Sequence, residues 1–240
     1  MRTRRWLAAL TALLGCSAPA QSHAAPADAR KAEAILVGSS SFNQSFGHLI
    51  EQELERRGYR VTRKAVDGAG LARPDFHDMN QELDALPVGH ETAAVFVYLG
   101  VNDAQDVWLY PHERGSTGHA SVAFGSADWD GVYGRRTRDF LERICRRGAR
   151  QAFVLLPVDV QRPELQRRLI RIRELQEQAA AATSCALAVR TAGDEGRFEV
   201  AGQPTRLPDG FHMSARGAQI VWERISDQVL GVLQADLPTR

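Results

Sequence analysis

The chain has 240 residues, long enough to bury one sizeable α/β core. Charged residues make up 25% of it and balance to a formal net charge of +1. That balance excludes the basic bias of a nucleic-acid-binding domain, and the Arg-rich stretches 143–150 and 167–173 read as solvated helix faces.

Residues 1–24 read as a signal peptide. Arg2, Arg4 and Arg5 form a basic head, and the apolar run 6–14 is too short to span a bilayer. Ser22-His23-Ala24 supplies the small residues that signal peptidase needs before Ala25. Leu13-Leu14-Gly15-Cys16 resembles a bacterial lipobox, the rival reading, which would lipidate Cys16. Both readings send the protein to the periplasm or outside the cell, and no later segment is long and apolar enough to be transmembrane. Residues 25–33 read as a polar linker, and 34–240 as a single domain.

In that domain, the apolar run 34–37 is a buried first strand. Gly38-Ser39-Ser40-Ser41 turns the chain into a helix whose inner face is Phe46, Leu49, Ile50 and Leu54, at the helical period. Arg56-Arg57-Gly58 stops that helix. A more polar strand, 59–66, belongs near a sheet edge, and Asp67-Gly68-Ala69-Gly70 breaks it. Pro74-Asp75 opens a short helix to about Leu86. The clearest buried strand is 93–99, ending at Gly100-Val101-Asn102-Asp103. An irregular stretch, 107–130, precedes a helix over 132–147 with Phe140, Leu141 and Ile144 inward. Strand 152–156 stops at Pro157, and helix 163–182 follows with Leu165, Leu169, Ile172 and Leu175 on one side. A short strand over 186–189 leads to a loop, 191–208, with a small hairpin through 198–200. The last helix spans 214–234, with Val221, Ile225, Val229 and Leu233 inward. Strands alternating with helices predict an α/β fold, a three-layer α/β/α sandwich on a five-stranded parallel, flavodoxin-like sheet.

Cys145 and Cys185 have two readings, a disulfide in an oxidising compartment or two buried thiols. The mature-chain histidines His48, His77, His90, His112 and His119 are scattered, without metal-ligand spacing. No glycine-rich phosphate loop with its lysine is present. No metal and no cofactor is therefore expected.

Open α/β sheets place ligands at the carboxyl ends of their strands. Ser40 follows the first strand at such an end and is the candidate nucleophile, although Gly-Ser-Ser-Ser is also an ordinary turn and cap. Asn102-Asp103 could cap a helix, and Asp209-Gly210 could be only a turn beside a surface His212. Yet Gly38-x-Ser40, Gly70, Gly100-x-Asn102-Asp103 and Asp209-Gly210-Phe211-His212 fall in order at strand ends. Together these blocks resemble the SGNH (GDSL-type) hydrolase superfamily. The stretches GLARPDF (70–76), YLGVNDAQDVW (98–108) and GRFEVAG…LPDGFHMSARGA (196–218) are similar to a bacterial exported branch of it.

The resemblance implies Ser40 as nucleophile, His212 as general base and then acid, and Asp209 orienting His212. It implies an oxyanion hole from the N–H of Ser40, the N–H of Gly70 and the amide of Asn102. Those residue types suit the chemistry. A serine hydroxyl needs a base, imidazole titrates near neutrality, and a neutral amide stabilises a transient oxyanion. The superfamily's first block usually reads Gly-Asp-Ser, whereas here it is Gly38-Ser39-Ser40, which leaves Ser41 as a rival nucleophile. The implied activity is an exported serine esterase acting on acyl esters, acetyl among the candidates, of a small molecule or glycan, with a cell-envelope or environmental carbohydrate as the candidate source. Acyl transfer to a sugar through the same acyl-enzyme is one alternative, and a non-catalytic glycan-binding protein on the same fold is another. In the stretch 107–130, Trp108, Tyr110 and Trp129 are expected to form a carbohydrate-facing wall, with loop packing as the competing role.

Overall fold

The computed structural model describes residues 31–114, 118–193 and 198–235. The signal-peptide and lipobox readings lie outside them. From Lys31 onward the chain forms one compact unit. Strand β1 (Glu33–Gly38) begins on the last residue of the expected linker, because Glu33 already pairs with Arg60 and Thr92. After it come α1 (Ser40–Asn43), α2 (Ser45–Arg56), the edge strand β2 (Arg60–Ala65), α3 (Met79–Ala85) and β3 (Thr92–Tyr98). A two-stranded ribbon, β4 (Val107–Trp108) with β5 (Ser121–Val122), lies within the stretch expected to be irregular. Then follow α4 (Ala127–Arg146), β6 (Gln151–Leu155), α5 (Pro163–Ala181) and β7 (Ala186–Val189). A small hairpin, β8 (Glu199–Val200) and β9 (Gln203–Pro204), precedes α6 (Ala215–Ala235).

The main sheet runs β2-β1-β3-β6-β7, and every pairing in it is parallel, the flavodoxin-like order that the alternation predicts. Side-chain alternation along the strands divides the core in two. Ile35 and Val37 of β1, with Val95, Val97 and Val154, pack beneath α3, α4 and α5. Ala34 and Leu36, with Phe96, Phe153 and Leu155, pack beneath α1, α2 and α6. Because both faces are covered, β1 and β3 are apolar almost throughout.

Three helix boundaries depart from expectation. The helix after β1 is two helices, broken where Gln44 turns extended. The two segments meet so closely that a Cβ on Gly47 would lie 2.1 Å from the Phe42 carbonyl oxygen. Their closeness lets Phe42 stack on Tyr98 while Phe46 meets the same ring edge-on, both phenylalanines fully buried and each contributing about 1.5–3 kcal/mol. Helix α3 starts at Met79 rather than near Pro74, because the Asp78 carboxylate accepts the Asn80 N–H and sets the N-terminus there. Helix α4 starts at Ala127 rather than 132, because the Ser126 hydroxyl caps the N–H of Trp129. Its first turn carries Asp128 and Asp130, as suits a helix N-terminus.

Disulfide Cys145–Cys185 ties the end of α4 to the residue before β7, closing a sequence separation of 40. None of the described helices is long and apolar enough to cross a membrane.

Candidate active site

The carboxyl end of β1 delivers Ser39 and Ser40. The Ser39 N–H is held by the Tyr98 carbonyl at the end of β3, which fixes the turn against the neighbouring strand. Ser40 is the first residue of α1, and its N–H has no protein acceptor among the described residues. From the other end of the chain, the segment before α6 brings His212 across 172 residues of sequence, and its Nε2 lies 2.6 Å from Ser40 Oγ. Ser41, the rival, is buried and directs its hydroxyl to the Tyr98 phenol.

Asp209 takes its place through local geometry. One carboxylate oxygen, Oδ1, accepts the N–H groups of Phe211 (2.9 Å) and His212 (3.0 Å), closing a tight Asx-type turn. The other, Oδ2, lies 2.8 Å from His212 Nδ1. Burial pushes the Asp209 carboxyl up, but those N–H donors and the imidazole outweigh it and hold it below the ordinary carboxylate range. It is therefore ionised at neutral pH, and with Oδ2 against Nδ1 it orients the ring so that Nδ1 carries the proton and Nε2 faces Ser40. The loop is braced from α5's side: the Gln161 N–H donates to the Gly210 carbonyl (2.7 Å), and Arg162 Nε to the Asp209 carbonyl (2.9 Å).

Asn102 and Gly70 sit on two loops that are bonded together. Asn102 Nδ2 donates to the Ala69 carbonyl at 3.0 Å, which leaves its second N–H available. The Gly70 N–H has no protein acceptor among the described residues. The residue that joins the loops is Asp103, whose role sequence reasoning missed. Its side chain is fully buried and accepts the N–H of Ala72 (2.7 Å), that of Leu71, and the Tyr133 hydroxyl (3.1 Å). Burial pushes its carboxyl up to about 6 despite those donors. A Cβ on Gly70 would lie 2.2 Å from Asp103 Oδ1, so only glycine lets the carboxylate approach this backbone. Arg136 clamps the same segment from outside, donating to the carbonyls of Leu71 (2.9 Å) and Trp108 (2.7 Å) and pairing with Glu113. The signal was available: an Asp after Asn102, following the most apolar strand, with Tyr133 and Arg136 on one face of an amphipathic helix.

Ser39, which stands where the superfamily usually has Asp, is 2% exposed. No side-chain bond from it caps α1. The proposed aromatic wall needs correction at Trp129. That residue lies in the first turn of α4, 0% exposed, with its ring between Phe124 and Tyr133 and its Nε1 donating to the Gln105 carbonyl. An indole so enclosed has no face for a ligand. Tyr110 is half-buried, stacked on His112 and covered by the Arg136 guanidinium, and burial pushes its hydroxyl up to about 12. Trp108 is partly exposed in β4, with Arg114 above its ring. No cluster of His, Cys, Asp or Glu among the described residues could hold a metal ion.

A family model described as "Protein of unknown function (DUF459)" matches residues 33–228. No curated protein matches the chain in sequence. Among solved structures, an acetyl xylan esterase from Geobacillus stearothermophilus superposes with a TM-score of 0.55 at 14% identity, covering 87% of this chain and 97% of that one. A carbohydrate esterase family 3 protein from Talaromyces cellulolyticus gives 0.54 at 12% identity, covering 85% and 99%. A member of the lipolytic G-D-S-L family from Veillonella parvula gives 0.54 at 15%, covering 81% and 96%. At such identities the similarity shows the fold. The chain belongs to the DUF459 family, an SGNH-like family, and is built on the α/β/α fold of the SGNH hydrolases.

Proposed function

We propose that this protein is an exported serine esterase that removes acyl groups, acetyl foremost, from carbohydrate esters. The observation that carries the reading is the unbroken chain from Asp209 Oδ2 through the His212 ring to Ser40 Oγ. Ser40 Oγ attacks the ester carbonyl carbon while its proton passes to His212 Nε2. The carbonyl oxygen becomes an oxyanion, stabilised by the unpaired N–H groups of Ser40 and Gly70 and the second N–H of Asn102. The tetrahedral intermediate collapses, the bond to the alcohol oxygen breaks, and His212 returns the proton to that leaving alcohol. Water then attacks the acyl-Ser40 ester with His212 again as base, releasing the carboxylic acid and restoring the hydroxyl.

The preference for sugar esters is supported by two proteins that share the fold, an acetyl xylan esterase and a carbohydrate esterase. Export is supported by the Cys145–Cys185 disulfide, a bond that persists in oxidising compartments. The test is hydrolysis of an aryl acetate and of acetylated xylo-oligosaccharides by the wild type and by Ser40→Ala. Turnover of both, lost in the variant, is expected. Turnover by the variant at the wild-type rate would refute the assignment, and hydrolysis of the aryl ester alone would refute the carbohydrate preference.

A further inference from the structure

Most arginines near this edge of the sheet are paired with carboxylates: Arg73 with Asp75, Arg136 with Glu113, Arg171 with Asp130 and Arg173 with Asp159. Two are not. Arg162, just before α5, and Arg168, within it, are exposed, and neither forms an ion pair with any described residue. Both are nonetheless held in place. Arg162 Nε donates to the Asp209 carbonyl, and its guanidinium lies 5.1 Å over the Phe211 ring. Arg168 Nη1 donates to the Ala104 carbonyl at 2.8 Å, and its guanidinium lies 4.9 Å over the Phe124 ring. Each is thus oriented by one hydrogen bond and one aromatic face, with its remaining N–H donors unused by the described protein.

Arg162 is tied to the loop that carries the base. The Phe211 ring beneath it packs 4.2 Å from the His212 ring, so one aromatic ring separates the guanidinium from the imidazole. His212 protonates the departing alcohol, so the alcohol half of the ester must lie on the His212 side of Ser40. Arg168 is tied to the loop that follows Asn102. Asp106, on that same loop, accepts the Phe124 N–H at 2.9 Å and forms no ion pair among the described residues.

We infer that Arg162, with Arg168 contributing at longer range, selects esters whose alcohol half carries a carboxylate, as in an acylated uronic-acid residue of an acidic glycan. This deepens the esterase reading and rests on it. The planar fork of a pre-oriented guanidinium suits bidentate recognition of a carboxylate, and holding it beforehand lowers the entropy lost on binding. Phosphate would meet the same donors, so the test separates the two anions.

The turnover arm compares an aryl acetate bearing a ring carboxylate with its carboxamide and phosphate counterparts, each corrected for its rate with hydroxide. The wild type should favour the carboxylate ester over the carboxamide by about fivefold or more in kcat/KM, mainly through KM, and added salt should erode the preference. Arg162→Gln should abolish that preference, Arg162→Lys should restore part of it, and Arg168→Gln should reduce it less. The binding arm uses Ser40→Ala protein and a glucuronate-bearing oligosaccharide in calorimetry, with and without Arg162→Gln. Binding that is lost with Arg162 supports the subsite even if no ester is turned over, in which case only the esterase reading fails. The inference is overturned if wild type shows neither preference nor binding. It is also overturned if Arg162→Gln lowers all three esters by one factor, which would make Arg162 a brace for the Asp209 loop. Stronger preference for the phosphate ester would overturn the assignment to a carboxylate.

Discussion

Asp103 is the residue on which the loops carrying Gly70 and Asn102 depend, and replacing it with Asn tests that directly. The substitution keeps the shape and removes the charge. In the folded protein burial raises the carboxyl from 3.8 to about 6. Below pH 3.8 the group is protonated whether the chain is folded or not, and it costs nothing. As pH rises toward 6 the unfolded chain loses the proton first, so folding is progressively penalised. Above 6 the penalty is complete, about 3 kcal/mol for a shift of this size. Asn carries no such penalty at any pH. Urea denaturation at pH 4.5 and 7.5 should therefore show the stability difference, variant minus wild type, becoming more positive by about 2 kcal/mol at the higher pH. At the same time kcat should fall, because Asn keeps one acceptor oxygen but sets an NH2 donor where Oδ2 accepts the Tyr133 hydroxyl, which loosens the segment that carries Gly70. Parallel pH dependence in the two proteins would refute the claim that Asp103 is a dry, reluctant anion. An unchanged kcat would refute its role in placing Gly70.

Three further outcomes follow from particular contacts. Asn102→Ala should cost about 2.7–4 kcal/mol of transition-state stabilisation, read as a fall of about 10²–10³ in kcat, whereas unchanged turnover would reduce Asn102 to its bond with Ala69. Gly70→Ala should destabilise the fold by about 1–3 kcal/mol and depress turnover, since the new methyl would meet the buried Asp103 carboxylate, and thermal melts that match wild type would contradict this packing. Replacing Cys145 and Cys185 together by Ala should lower unfolding stability by about 4 kcal/mol, from the entropy of a loop closed over a separation of 40, and a denaturation midpoint equal to that of oxidised wild type would show that the bond does not form.

The sheet was legible because its strands are buried on both faces and so read as unbroken apolar runs, as in 34–37 and 93–99. The site blocks were legible because each lies at a strand's end or before a helix, where spacing alone locates it. What escaped was decided by packing rather than by periodicity. The break after Asn43 sets Gly47 against the Phe42 backbone, a close approach that glycine permits and that the apolar period of the stretch does not signal. Trp129 belongs to a helix start that Ser126, Asp128 and Asp130 mark in the sequence, and burial against Phe124 and Tyr133 takes it out of any ligand-facing wall. Asp103 resembled a cap, and only its burial and its donors from residues 71, 72 and 133 distinguish it. Arg168 belongs to a stretch that reads as a solvated helix face, and only the fold sets it over Phe124.

The central claim is that Ser40 is an activated nucleophile, and covalent capture measures this most directly. Incubation with an aryl alkylphosphonate, followed by intact mass and peptide mapping, should add one phosphonyl group, on Ser40 Oγ, with loss of one equivalent of the aryl leaving group. Labelling should slow by orders of magnitude in His212→Ala, which removes the base 2.6 Å away. A protein that stays unlabelled under these conditions, or carries its label on Ser41, would contradict the account.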